Sequence, residues 1–238
     1  MQCVLTPPFL GKAIVTLDNF RFAIPRSVCS YAISNLEHIV VTCDYTRLRS
    51  LRPYPGAKVL DCGAGLGFYT TVSTYLGAYT IALEPLSTNI RFVELNLHMN
   101  NCRDKAMVLP LALSGDGRDL ELYVGEYTLV SSAIPSHVKL HSDIIDVVIC
   151  KSVPLSYILR RYGPFDIVKL DIEGLELEVL EEAYNYIPKY VRKLVIEVHT
   201  DVVDVNKVED LLQSMGFTTI TYTCYDMPYQ VVVYALRI

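Results

Sequence analysis

Residues 57–67 read Ala57-Lys58-Val59-Leu60-Asp61-Cys62-Gly63-Ala64-Gly65-Leu66-Gly67, and this stretch decides the fold. A short apolar run from Ala57 to Cys62 carries an acidic residue at its end and passes at once into a glycine-rich turn. Phe68 to Leu76 then reads as a helix, so the whole stretch is strand, tight turn, helix. Glycines 63 and 65 lack a Cβ, which permits a tight turn and close approach of the backbone to a ligand.

Downstream of this stretch the pattern repeats. Tyr79–Leu83 is a second apolar run, closed by Glu84 and Pro85. Ile90–Met99 has helical spacing through Ile90, Val93 and Leu97. Met107–Leu109 is a third short strand, and Leu120–Val124 an extra one with Asp119 and Glu121 exposed. Asp166–Leu170 is a strand that ends on Asp171. Leu175–Tyr186 is a helix with Leu175, Val179, Leu180 and Ala183 on one face. Lys193–Val198 is a strand carrying Glu197, followed by His199. Val205–Met215 is a helix stopped by Gly216. Thr218–Cys224 and Gln230–Leu236 close the chain, joined by a turn around Asp226-Met227-Pro228-Tyr229.

Strands alternating with helices predict a parallel sheet covered on both faces. Two final strands joined by a tight turn must be antiparallel. The expectation is therefore a Rossmann-like α/β fold with a mostly parallel seven-stranded sheet. Its last strand, Gln230–Leu236, should insert antiparallel beside Lys193–Val198. That ending is the arrangement of class I methyltransferases.

Upstream, Ala13–Leu17 and Arg21–Ile24 read as a hairpin across Asp18-Asn19. Residues 27–50 are ambiguous, with room for a helix. Residues 1–52 are taken as an N-terminal extension, too small to bury a core of their own and a candidate substrate region. Residues 53–238 form the main domain.

Composition narrows the function. Hydrophobic residues make up 51% and charged residues 20% of the 238, which argues against disorder. A net charge of −5 weakens any reading as a general nucleic-acid binder, although a local basic patch can hide in an acidic total. Arg47, Arg49 and Arg52, and Arg160 and Arg161, read as solvated surface. The seven cysteines show no CxxC pair, so neither a disulfide framework nor a zinc site is supported. The start of the sequence does not read as a signal peptide, and no apolar run is long enough to span a bilayer. A soluble, cytoplasmic protein without a membrane partner is expected, of undetermined oligomeric state.

Open α/β sheets bind ligands at the carboxyl ends of their strands, where strand order reverses. Four such ends carry chemistry. At the first, the Asp61 carboxylate suits the cationic amino-acid end of S-adenosylmethionine and suits a pyrophosphate badly. The glycines also run GxGxG, not the GxGxxG of dinucleotide binders. At the second, Glu84 lies roughly twenty residues after the glycines, where a carboxylate takes both hydroxyls of a ribose. At the third, Asp171 and Glu173 bracket a strand end closely enough to push each other's pKa apart. Glu173 and Glu176 would also favour a helix N-terminus through its dipole, and for Glu176 that is the preferred reading. At the fourth, Glu197-Val198-His199 puts a histidine at a strand tip, either as a general base or as a surface-loop residue. Asp171, Glu173, Glu197 and His199 could together hold a divalent metal, but no metal is assigned.

The run Val59–Thr70, then Ala82-Leu83-Glu84-Pro85 with Asn89 and Asn96, then Leu111-Ala112-Leu113-Ser114, and above all Val168-Lys169-Leu170-Asp171-Ile172-Glu173-Gly174-Leu175-Glu176 resemble the FkbM family of methyltransferases. The resemblance covers roughly residues 53–200. It implies S-adenosylmethionine as cofactor and methyl transfer to oxygen, often on a sugar or small molecule. It implies cofactor contacts from Asp61, Gly63, Ala64, Gly65, Gly67, Phe68, Glu84 and Pro85, with Leu111 and Ala112 flanking the adenine. Asp171, Glu173 and His199 are the candidate catalytic groups: Asp171 to position the cofactor's methionine end or the acceptor, Glu173 or His199 to receive the proton. The family is functionally broad, so its name does not fix the acceptor.

An RNA methyltransferase is the alternative. A base N-methyltransferase would carry an Asn- or Asp-Pro-Pro-aromatic run where this chain has Asp171-Ile172-Glu173-Gly174. A pyrimidine C5 enzyme needs a cysteine at a strand tip, and Cys150 and Cys224 are poorly placed. A ribose hydroxyl remains open. A third reading, a silent domain that keeps the fold, is opposed by the intact glycine turn with Asp61 and Glu84.

Overall fold

The computed structural model describes residues 2–5, 11–223 and 229–237. Cys224 and most of the expected turn at 226–229 lie outside them. Strands β1 (Gln2–Leu5), β2 (Lys12–Leu17) and β3 (Phe20–Pro25) form a small antiparallel sheet. Leu17 pairs with Phe20, so Asp18-Asn19 is a two-residue turn. Asp18 takes the positive φ of 50° that such turns demand and that Asp tolerates. Helix α1 (Cys29–Leu36) runs on into a single π turn, Glu37–Val41, and two 3-10 turns at Asp44–Thr46 and Arg49–Leu51. The ambiguous 27–50 segment is thus helix and turns.

The body begins with β4 (Lys58–Cys62), α2 (Phe68–Tyr75), β5 (Tyr79–Leu83), α3 (Ser87–Met99), β6 (Ala106–Leu109) and the short β7 (Ala112–Leu113). Next come β8 (Leu120–Gly125), α4 (Pro135–His141), β9 (Ile144–Cys150), β10 (Ser152–Val153) and α5 (Leu155–Tyr162). The chain ends with β11 (Ile167–Leu170), α6 (Glu176–Glu182), α7 (Ile187–Tyr190), β12 (Lys193–His199), α8 (Val205–Ser214), β13 (Thr218–Thr223) and β14 (Gln230–Leu236). Seven strands make the main sheet in the order β13-β14-β12-β11-β4-β5-β6. The central strands are buried on both faces, which is why they read as continuous apolar runs. β14 pairs antiparallel with both β12 and β13, the expected insertion.

The chain leaves β4 for β5 and β6, then returns to β11 on the other side of β4. The reversal therefore falls at the carboxyl ends of β4 and β11, side by side. The N-terminal segment packs onto this end. Ala13, Val15, Phe22 and Ile24 share a core with Leu66 and Phe68 of the body. Asn96 of α3 is buried and stitches the two parts: it accepts from the Ala23 amide (2.6 Å) and donates to the carbonyls of Ala23 (3.1 Å) and Leu66 (2.8 Å).

Two expectations change in detail. The Leu120–Val124 run is a strand, but it pairs with β9 in an antiparallel ribbon outside the main sheet. The single helix expected over Leu175–Tyr186 is α6 alone. The chain turns after Ala183 and restarts as α7, whose first turn takes Pro188 without losing a hydrogen bond. Among the described residues, no helix is long and apolar enough to cross a membrane.

Candidate functional site

The strand reversal opens into a cleft of about 1330 Å³, its mouth included. The floor is the ends of β4, β5, β11 and β12. Tyr31, Asn35 and Tyr45 of the N-terminal segment line the opposite wall. Of the residues expected at a cofactor, Gly63, Ala64, Gly65, Phe68, Glu84 and Pro85 line it. Leu111 and Ala112 do as well. Asp171, Glu173 and Glu197 line its other end. Asp61, Gly67 and His199 are not at its surface.

Two glycines are fixed by close approach. Gly63 (φ +75°) passes so near β11 that a Cβ would lie 1.8 Å from the Asp171 carbonyl oxygen. Gly67 (φ +79°) precedes α2, and a Cβ there would lie 2.8 Å from the Val93 Cα on α3. Gly67 thus packs helix on helix behind the turn.

Glu84, at the end of β5, is 4% exposed. Its carboxylate accepts from the amides of Gly65 (2.8 Å) and Leu86 (3.0 Å) and from Asn89 Nδ2 (3.3 Å). These donors favour the charged form, but burial outweighs them and pushes its pKa up to about 7. Asn89 is buried, lines the cleft, and its Oδ1 has no hydrogen-bond partner among the described residues.

Asp61 and Asp171 meet at Lys169. The Lys169 ammonium, 2% exposed, lies 3.2 Å from Asp61 Oδ1 and 3.1 Å from Asp171 Oδ2, and donates to the Gly63 carbonyl at 2.6 Å. Thr70 Oγ1 donates to the other Asp61 oxygen at 2.5 Å. Asp61 thus works from behind the turn, fixing the lysine that fixes Gly63. Burial works to raise the Asp171 carboxyl, yet the lysine charge prevails and holds it below the usual carboxylate range.

The rest of this end is acidic. Glu173 lines the cleft from a left-handed backbone position (φ +56°), rare for a residue with a Cβ and common where a site dictates geometry. Its Oε2 lies 2.7 Å from His137 Nε2, and His137 Nδ1 lies 2.7 Å from Asp201. Burial raises the Glu173 pKa. Burial and the nearby Asp171 charge push Glu197 up to about 7. The Tyr45 hydroxyl shares its one proton between Glu197 Oε2 (2.5 Å) and Asp171 Oδ2 (3.1 Å).

His199 is fully buried, not a surface-loop residue. Its Nδ1 donates to Glu176 Oε1 at 3.0 Å. Glu176, read as a helix-dipole carboxylate, is itself fully buried and also accepts from the Ile172 and Gly174 amides. Burial works against a charge on His199, but Glu173, Glu176 and Asp171 push its pKa well above the ordinary value.

Sequence reasoning passed over Lys169, Tyr45 and His137 as site residues. A signal existed for Lys169: a lysine inside the buried run Ile-Val-Lys-Leu needs a carboxylate partner. Tyr45 and His137 reach the site from a 3-10 turn and from α4, with no local pattern to mark them.

The fold has counterparts among solved structures. An FkbM methyltransferase from Methylobacillus flagellatus superposes with a TM-score of 0.55 at 15% identity over 93% of this chain, which spans only 56% of that protein's length. A magnesium protoporphyrin IX methyltransferase from Synechocystis with bound SAM gives 0.51 at 13% identity, over 89% of this chain and 80% of that one. Its SAH-bound form gives 0.50 at 12%, over 89% and 84%. No protein of curated function matches the sequence. At these identities the likeness establishes the class I methyltransferase fold. The model of the FkbM methyltransferase domain matches residues 61–219, from the aspartate before the glycine turn into β13, and the chain belongs to that family.

Proposed function

We infer that the protein transfers a methyl group from S-adenosylmethionine to a hydroxyl of a sugar or small molecule. One observation carries the reading: a single cleft joins a neutral-donor cradle at Gly63–Glu84 to an acidic end at Asp171, Glu173 and Glu197. The cradle suits a nucleoside. Glu84 supplies an acceptor for ribose hydroxyls, and the unpaired Asn89 Oδ1 needs a donor. The acidic end suits a neutral hydroxyl acceptor and repels a phosphate backbone, which disfavours RNA.

S-adenosylmethionine brings an activated methyl: the acceptor oxygen–carbon bond forms as the sulfur–carbon bond breaks, with its electron pair left on sulfur. The protein then has to align the acceptor and remove one proton. Asp171, its Oδ2 fixed by Lys169 and Tyr45, positions the acceptor. Glu173 is the base. It lines the cleft whereas His199 does not, and with Oε2 engaged by His137 its Oε1 takes the hydroxyl proton. The N-terminal segment, through Tyr31, Asn35 and Tyr45, selects the acceptor.

Calorimetry with S-adenosylhomocysteine and with NAD tests the cofactor, and labelled S-adenosylmethionine offered to sugar, small-molecule and RNA pools tests the acceptor. Binding of S-adenosylhomocysteine alone, with label on a hydroxyl compound, is expected. Tight NAD binding with no response to S-adenosylhomocysteine would overturn the reading.

A further inference from the structure

Three side chains at the acidic end converge on one point. His199 Nε2 is fully buried and has no hydrogen-bond partner among the described residues. Around it stand Glu173 Oε2 at 3.4 Å, Asp171 Oδ1 at 3.9 Å and Glu197 Oε1 at 3.9 Å. Neither protonation state gives Nε2 a hydrogen bond here. A neutral Nε2 turns its lone pair toward three carboxylates. A protonated one is 3.4 Å from its nearest acceptor, beyond the usual N–H···O range.

The outer atoms are all pinned. His199 Nδ1 is held by Glu176. Asp171 commits Oδ2 to Lys169 and Tyr45, and Glu197 commits Oε2 to Tyr45. Each group leaves one atom turned inward, the pattern in which outer partners orient the ligands of a metal. The ligand atoms of Asp171, Glu197 and His199 all lie within 4.8 Å of one another. A cation with bonds of roughly 2.0–2.2 Å spaces its ligands about 3–4.4 Å apart. Of the three carboxylates Lys169 pairs with Asp171, and it is shared with Asp61.

We propose that Asp171 Oδ1, Glu197 Oε1 and His199 Nε2 bind a divalent first-row cation, with Glu173 at its flank and Glu176 orienting the imidazole. Two carboxylates and one imidazole favour a manganese- or iron-type ion over calcium. Asp171 and Glu197 line the cleft, so the open coordination positions face the acceptor. There the ion would hold a hydroxyl oxygen and make its proton easier to remove. That role rests on the methyl-transfer reading; the binding does not.

Manganese(II) is titrated into the full chain and free ion is followed by electron paramagnetic resonance. S-adenosylhomocysteine affinity is measured on the same samples. One ion per chain is expected. Glu197→Gln and His199→Gln should each weaken manganese binding by more than tenfold, and Glu176→Gln by about 10-fold. Glu197→Gln keeps the side-chain shape and decides the matter if the buried histidine variant does not fold. Absence of binding at millimolar manganese, or wild-type affinity in Glu197→Gln, overturns the proposal. Manganese binding without S-adenosylhomocysteine binding would sink the methyl-transfer reading and leave the ion site standing. The reverse result would remove the ion site alone.

Discussion

Glu84 and Glu197 stand at the ends of two strands of one sheet, and both are pushed up to about 7, yet by different surroundings. Around Glu84 the donors are neutral: two backbone amides and an asparagine. Burial alone raises it. Around Glu197 the neighbours are ionisable: Asp171, His199, Tyr45 and Glu173. There burial is joined by like charge. A carboxylate among neutral donors is a site for hydroxyls. A carboxylate among other carboxylates is unfinished, and wants a proton or a cation. The cleft thus has one end built for recognition and one built for charge.

The sharpest way to break the acidic end is to remove the cation it already has. Lys169→Met leaves the buried Asp61 and the half-buried Asp171 without their shared partner. Losing one side of a buried pair costs about 3–5 kcal/mol, and chemical denaturation should show a loss of that size. An unchanged midpoint would mean that the two aspartates are neutral in the fold.

Gly63→Ala tests where the two ends meet. A Cβ 1.8 Å from the Asp171 carbonyl forces β4 and β11 apart at the site itself. Roughly 2–3 kcal/mol of destabilisation is expected, a fall in melting temperature of about 4–12 °C. S-adenosylhomocysteine binding should be lost at the temperatures where the variant remains folded. Retained binding would show that the turn tolerates the shift.

How far each end can be read from sequence follows from the same contrast. The recognition end is local. Gly63, Gly65 and Glu84 follow one another across a single strand–turn–helix–strand unit, so spacing alone suffices to place them in one cleft. The charged end is assembled from β11, β12, the loop before α6, α4 and the N-terminal segment. Asp171, Glu173 and His199 are legible because they close strands. Their partners are not: Tyr45 lies in a segment without periodicity, and His137 falls in residues 128–165, where no element was read. β9 hid for a related reason. Ile145, Val147 and Ile149 are exposed on a strand that pairs with β8 outside the main sheet, so its pattern does not answer to the main core. Glu176 does stand in the first turn of α6, but its second role, holding His199, is not legible, since a glutamate at a helix start has a sufficient local explanation until His199 is seen beside it.

A narrower test confines itself to the recognition end. Glu84→Gln keeps the shape and removes the charge from what would become two charge-assisted hydrogen bonds to a ribose. Such bonds exceed neutral ones by about 1 kcal/mol or more each, so S-adenosylhomocysteine affinity should fall about 10–100-fold. Manganese binding at the other end should not change. A loss of both would show that the two ends are one coupled unit.

The smallest effect separates the two ends by pH alone. Glu84 titrates near 7 in the fold against an ordinary 4.5. Between those values the folded protein holds a proton that the unfolded chain has released. This group's contribution to stability is therefore complete below about 4.5 and is lost as pH rises through about 7. Ligand binding runs the other way. Ribose hydroxyls donate to the ionised carboxylate, so affinity for S-adenosylhomocysteine should rise over the same interval. With a midpoint near 7, the ionised fraction falls about tenfold between pH 8 and pH 6, and affinity should weaken by about that factor. Glu197 titrates in the same region, so the wild-type slope alone cannot be assigned. Glu84→Gln resolves this by difference. It should flatten the pH dependence of S-adenosylhomocysteine binding measured by calorimetry, and remove part of the downward slope of stability between pH 5 and pH 7.5. A binding profile that stays as steep in Glu84→Gln as in wild type would transfer the titration to the acidic end, and with it the control of cofactor affinity.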